Sequence, residues 1–393
     1  MRCVYIVGAG FTKALEYRRP VPLMMDFVQV LALHARSDDI CLMTLIGLER
    51  MNLFRHRNAA SREMARAQEP KQFRHQLISN AIARPRESIE TLLNRANRMD
   101  LDLAKTAERT KRFSNAAIAA AFSDPLIRVQ YAISSVFHRI GWQVKIDKLV
   151  RYLRRRCADD AAHTFVSFNY DLVLEHAIER AGLPWSADAG YGFPFAWLAT
   201  ADPNPNHGAP VVAHVAAATS RITVLKPHGS LNWFTPRRAE DVDTPPVLAA
   251  NSEGTVRYPR TLRPHAEVRF PTLWYPIEVT PLIVPPSASK NTAMPLLRTI
   301  REHEAVAIRE ADEAYVLGWS MPASDKDQVA LVRRAVARRR KPFKRIVVVN
   351  REAKDNYFRR VAAAFGVTAR HITRYNDGLE DFLLRESRRL TTR

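Results

Sequence analysis

Cysteine is scarce in this chain. Cys3, Cys41 and Cys157 are scattered over 393 residues with no C-x-x-C pair, which excludes a disulfide framework and a four-cysteine zinc ribbon. Glycine is also sparse, at 13 residues, so any glycine cluster stands out. The absence of G-x-x-x-x-G-K-[ST] excludes a P-loop. Long apolar runs are missing too: the longest, around 116–122, is far short of a membrane span, and a strand pattern begins almost at Met1. These features predict a soluble cytoplasmic protein with no membrane partner. Acidic residues number 40 against 60 basic ones, a formal charge of +20 that leaves room for a nucleic acid or another polyanion. Only 12 of the basic residues are lysine, an arginine excess that partly reflects coding composition. The densest cluster, "RRAVARRRKPFKR" at 333–345, reads as the solvated face of a surface helix, and no nucleic-acid-binding motif accompanies it.

Short apolar runs bounded by turn residues predict strands at 3–7, 164–168, 222–225, 282–284, 314–317, 346–349 and 371–373. Helical patterns fall at 172–181, 326–340 and 353–365. Several strands are apolar on both faces, as in a sheet covered by helices on each side, so the expected fold is α/β with a doubly wound, mostly parallel Rossmann-like sheet. Two stretches interrupt the alternation. Amphipathic segments such as 88–96 and 125–139 mark 31–153 as a helical insertion, a lid, oligomerisation or partner region. The stretch 184–295 holds 17 of the 24 prolines and reads as a loop and β insertion. The nucleotide-binding domain is then expected at 1–30 and 154–393.

The chemistry gathers where strands end. "VYIVGAGFTKAL" at 4–15 runs from an apolar strand into Gly8-Ala9-Gly10, a turn that lets backbone approach a pyrophosphate, but it lacks the third glycine and the later acidic residue of a dehydrogenase. "FVSFNYD" at 165–171 ends in Asn169 and Asp171, which either serve a site or cap the next helix. "LKPHGSLNW" at 225–233 places His228 on a glycine turn, the best-placed general base of the 12 histidines. "YVLGWSMPASD" at 315–325 and "VVVNRE" at 347–352 end likewise in Gly318, Ser320 and Asn350.

The order of these motifs resembles that of the NAD-binding sirtuin family, and the FNYD, K-x-HGS and LG-x-S-x-P wording, with "GLEDFLL" at 378–384, is similar to its bacterial sirtuin-like branch. The resemblance implies NAD as the substrate and no metal. It places Gly8, Ala9, Gly10 and Phe11 along the pyrophosphate and nicotinamide ribose, and Gly318, Ser320 and Asn350 on the phosphate and adenosine side. Asn169 and Asp171 would stand by the nicotinamide ribose with His228 facing it as base, and Asp26 would belong to a mobile cofactor loop. Thr12 stands where many members have serine. The implied activity is NAD hydrolysis to ADP-ribose and nicotinamide, in an antiphage defence effector that depletes NAD. The alternatives are an NAD-dependent protein deacylase, disfavoured by the missing cysteines, and a non-catalytic NAD or ADP-ribose sensor. A second copy of the chain or a regulatory protein is the expected partner.

Overall fold

A computed structural model describes residues 1–16, 26–36, 45, 70–83, 133, 136–137, 144–201, 208–213, 220–236, 246–250, 266–271, 275–283, 295–322, 325–351 and 354–391. The chain divides into two compact units. One comprises Met1–Val21, Ile140–Thr261 and His265–Arg393; the other comprises Pro22–Arg139 and Leu262–Pro264. In chain order the first unit contains β1 (Arg2–Val7) and a short helix α1 (Ala9–Lys13), and the second contains α2 (Phe27–His34) and α3 (Pro70–Ala83). The first unit resumes with α4 (Asp147–Arg156), β2 (Ala162–Ser167), α5 (Val173–Arg180), α6 (Ala187–Gly190), β3 (Trp197–Ala199), β4 (Ala209–Ala213), β5 (Ile222–Leu225) and β6 (Gly229–Pro236). It continues with β7 (Val247–Ala249), β8 (Glu267–Arg269), β9 (Ile277–Ile283), α7 (Pro295–Glu310), β10 (Glu313–Leu317), α8 (Lys326–Ala337), β11 (Arg345–Val349), α9 (Asp355–Ala364), β12 (Ile372–Tyr375) and α10 (Leu379–Thr391).

The main sheet has the order β12-β11-β10-β1-β2-β5, and every neighbouring pair is parallel, as the doubly apolar strands require. From β1 the chain builds β2 and β5 on one side, then returns to build β10, β11 and β12 on the other. The direction of winding therefore reverses between β1 and β10, which opens a crevice at the carboxyl edge.

Register decides how the core fills. Tyr5 pairs with Phe165 on one side and Tyr315 on the other, and the three rings stack at 4.4 and 4.8 Å. Arg156, at the end of α4, reaches under this stack and donates to Tyr5 Oη, Tyr315 Oη, Glu313 Oε2 and Cys3 Sγ. Burial pushes the Cys3 thiol up to about 11 and that of Cys157 to about 12, against the pull of Arg156, so both stay neutral core groups. Cys41 lies outside the described residues.

The last helix is fixed by its own charge cluster. Glu386, 2 % exposed on α10, accepts a fork from Arg345 at 2.9 and 2.6 Å, and further bonds from Tyr375 Oη and Arg389 Nε. Burial alone would raise its pKa, but these bonds outweigh it and hold the carboxyl at about 2, below the ordinary 4.5. Because the folded value lies below the unfolded one, the cluster contributes fully above about pH 4.5 and is lost as pH falls toward 2. We expect Glu386→Gln to remove up to about 3 kcal/mol of this acid-sensitive stability. Urea melts between pH 6 and 3 should show a flatter curve for the variant; parallel curves would contradict it.

The described residues of the proline-rich stretch form more regular structure than its prolines suggest. Its strands close into a barrel in the order β3-β4-β8-β9-β6-β7, with Trp233, Phe234, Val247, Leu248 and Val279 fully buried. Of the run expected at 282–284, Leu282 and Ile283 end β9, antiparallel to β6 in this barrel, and are not in a strand of the parallel sheet; position 284 lies outside the described residues. Its apolar residues could not reveal which sheet they join. His371 ends a 3-10 turn, and the strand begins at Ile372. In the second unit, Arg74 on α3 donates to the Ala35 and Arg36 carbonyls that end α2. The amphipathic segment 88–96 lies outside the described residues, as does most of 125–139.

Candidate functional site

Parallel register brings five strand ends to one edge. Val7 pairs with Ser167 and Leu317, Val166 with Leu225, and Leu317 with Val349, so Gly8, Asn169, His228, Gly318 and Asn350 all follow strands that finish together.

The glycine turn is built against its neighbour. Gly8 N–H donates to the Leu317 carbonyl, Gly10 N–H to the Gly318 carbonyl and Phe11 N–H to the Gly8 carbonyl. These three N–H groups therefore do not form the open pyrophosphate cradle that the Gly-x-Gly pattern suggests. The glycines answer to close backbone packing instead: a Cβ on Gly8 would stand 2.6 Å from Trp319 Cα, and one on Gly10 2.9 Å from the Gly318 oxygen. Gly318, at φ +65°, would press a Cβ to 2.3 Å from Phe11 N. Gly318→Ala combines that clash with left-handed strain, so we expect a loss of more than about 2 kcal/mol. An unchanged urea midpoint would contradict this packing role.

Asn169 hangs on that turn. Its Nδ2 donates to the Gly8 carbonyl at 3.2 Å and to Thr12 Oγ1 at 2.9 Å, while Thr12 Oγ1 donates to Asp171 Oδ2 at 2.9 Å. Both amide hydrogens are thus committed, which leaves the Asn169 carbonyl oxygen to meet a ligand or water. Asp171 accepts the Val173 N–H at the start of α5 with its other oxygen, so it caps the helix and braces Thr12 at once. Burial raises its pKa, the charge of Lys226 opposing. Beneath it, fully buried Lys226 donates to the Asp171 carbonyl at 2.6 Å and to Glu175 Oε1 at 2.8 Å.

His228, 4 % exposed, stands between the rings of Phe168 and Tyr170, with centroids at 5.2 and 6.4 Å. Its Nε2 is 3.9 Å from Asp325 Oδ1, and Asp325 Oδ2 accepts the Trp319 indole N–H at 2.9 Å. The next residue, Gly229, is at φ +80°, where a Cβ would come within 1.9 Å of the Leu282 oxygen. Glycine here lets β9 pass close behind the histidine.

The other candidates are dispersed along the edge. Phe11 is buried under the turn, Ala9 and Ser320 are exposed, and Asn350 is half-buried with its N–H on the Tyr375 carbonyl. Asp26 stands at the N-cap of α2 in the second unit. Sequence reasoning passed over Asp325, Trp319, Lys226 and Glu175. Trp319 carried a signal, since a buried indole N–H needs an acceptor and Asp325 is six residues on. Among the described residues no group of three or more His, Cys, Asp or Glu side chains could hold a metal.

No protein-family model matches the chain, and no curated protein matches it. Among solved structures, a Sir2 homologue mutant in complex with ADP-ribose aligns at 12% identity with a TM-score of 0.37, covering 70% of this chain and 77% of that one. A Sir2 homologue–NAD complex aligns at 12% identity with a TM-score of 0.36, covering 70% of this chain and 75% of that one. At these scores the likeness assigns no residue a role, and the site stands on its own geometry.

Proposed function

We propose that the carboxyl edge of the sheet hydrolyses NAD at the nicotinamide–ribose bond, giving ADP-ribose and nicotinamide. The observation that carries this reading is the fixed Asn169 amide, whose hydrogens are both committed so that its oxygen is left to accept, beside a strand end that bears a buried histidine backed by a carboxylate. A site that only bound a nucleotide would need no base there.

The chemistry suits these residues. The pyridinium nitrogen of NAD is cationic, so when its bond to the ribose breaks the electron pair neutralises the ring and cationic character passes to the anomeric carbon. Asn169 Oδ1 accepts one hydrogen of a water and turns the water oxygen toward that carbon. As the new C–O bond forms, a proton of the water passes to neutral His228, and Asp325 stabilises the resulting imidazolium. The proton later leaves to solvent. In this reading Thr12 and Asp171 position Asn169, while Gly318, Ser320 and Asn350 flank the adenosine half.

Unchecked, such an activity would exhaust cellular NAD, which fits the antiphage role implied by the resemblance and the cytoplasmic setting expected from the composition. Gating, self-association or a regulatory partner is assigned in the same reading to 31–153. The test is to incubate the purified full chain with NAD. Nicotinamide and ADP-ribose should appear in equal amounts, whereas tight NAD binding without either product would favour a sensor.

A further inference from the structure

Much of the basic surface is neutralised locally. Arg2 is answered by Glu310, Arg221 by Asp160, Arg374 by Asp355, Lys344 by Asp312, and Arg385 by Asp377 and Asp381. Exposed arginines without an ion pair to a described residue also occur singly elsewhere, Arg151, Arg298 and Arg370 among them, but helix α8 gathers such cations into one stripe. Lys326, Arg333 and Arg334, at i, i+7 and i+8, share one face, and Arg338, Arg340 and Lys341 continue past its end. All six are exposed, and none forms an ion pair with a described residue. The helix bears one acid, Asp327, in its first turn, where the helix dipole already favours it.

Two concavities border the stripe. Along α8 a cavity of about 510 Å³ is lined by Lys326, Arg333, Arg334 and Arg360 beside Met321 and Pro322. Past its end a second, of about 620 Å³, is lined by Arg309, Arg338, Arg340 and Lys341; of its acids, Glu310 is shared by Arg2 and Arg309, and Asp312 is held by Lys344. Arg339 keeps this second cluster in shape: its guanidinium donates to the Ile308, Arg309 and Ala311 carbonyls and stacks 3.5 Å from the Phe343 ring centroid. Helix α8, which the first cavity follows, is about 18 Å long.

We propose that this stripe docks the phosphodiester backbone of a nucleic acid. A rail of unpaired cations about 18 Å long faces a ligand that repeats its negative charge at comparable density, and guanidinium groups match phosphate oxygens with paired donors. A membrane surface fits less well. The apolar residues Leu331, Val332 and Ala335 of α8 are buried, and the exposed large apolar side chains Met1, Val212, Tyr275, Val306 and Leu384 all lie elsewhere, so the helix has no anchor to insert. Backbone contacts of this kind bind without regard to base sequence. The inference does not depend on NAD turnover.

The test is fluorescence anisotropy of the full chain with a short labelled DNA duplex of mixed sequence, across a salt series. Four to six phosphate contacts give a slope of log affinity against log salt of roughly −4 to −5. Arg333→Ala/Arg334→Ala, and separately Arg338→Ala/Arg340→Ala, should each reduce that slope by about two and weaken binding on the order of tenfold or more. These side chains are exposed, and an unchanged thermal melt would confirm that the fold is kept. His228→Ala should bind the duplex like the parent, which separates this claim from the hydrolase. Absence of salt-dependent binding, binding by both arginine variants as tight as the parent's, or preference for phosphatidylserine vesicles over the duplex would overturn it.

Discussion

His228→Ala should lower kcat for nicotinamide release by about 10² to 10⁴, the range a positioned general base supplies, while leaving KM for NAD within a few-fold. The parent rate should have an acid limb, because only the neutral ring of His228 can take a proton, and the residual rate of the variant should lack that limb. Asn169→Ala should also lose turnover, for a different reason. It removes the oxygen that orients the water and leaves the Gly8 carbonyl and Thr12 without their shared donor. Steady-state kinetics across pH checks both variants. A His228→Ala enzyme with full activity, or one that keeps the acid limb, would remove the histidine from the mechanism.

Lys226→Met is expected to be the most destabilising single change beside the site. Its ammonium and the Glu175 carboxylate are 0 % and 1 % exposed, 2.8 Å apart, and the same ammonium bonds the Tyr170 and Asp171 carbonyls. Removing it strands a buried carboxylate, at a cost of about 3 to 5 kcal/mol out of the 5 to 15 that hold a typical domain together. Replacing the partner as well, in Lys226→Met/Glu175→Gln, should recover most of the loss, because the stranded charge rather than the missing bond dominates. Urea melts of the two variants decide it. A single variant within about 1 kcal/mol of the parent, or a double variant no better than the single, would contradict this account.

The sheet was legible because its strands are short, apolar on both faces and spaced by helical patterns, features set by burial alone. The candidate residues lay in view for the same reason: strands that must pair in parallel finish together, so the polar residues just past them share an edge. The meaning of particular residues was less visible. Gly8-Ala9-Gly10 looks like a phosphate turn, yet the partner that fills it is the backbone of Gly318, more than 300 positions away. Asp171 could be read as cap or catalyst; one of its oxygens accepts the Val173 N–H at the start of α5 and the other braces Thr12. The barrel was hidden because β3, β7 and β8 span only three residues each, Pro281 sits inside β9, and the β6–β9 register shifts between Gly229 and Phe234, which blurs any alternation. Lys226 lay in plain sight in a lysine-poor chain, but nothing local indicates that its ammonium is wholly buried.

The central claim is that water, and not a protein acyl group, meets the ribose after nicotinamide leaves. The most direct measurement follows NAD consumption by the full chain with and without an acetyl-lysine peptide, and identifies the ribose product by mass. The account predicts equal consumption in both and unmodified ADP-ribose throughout. No consumption, or consumption only with peptide and with acetylated ADP-ribose as product, would contradict it.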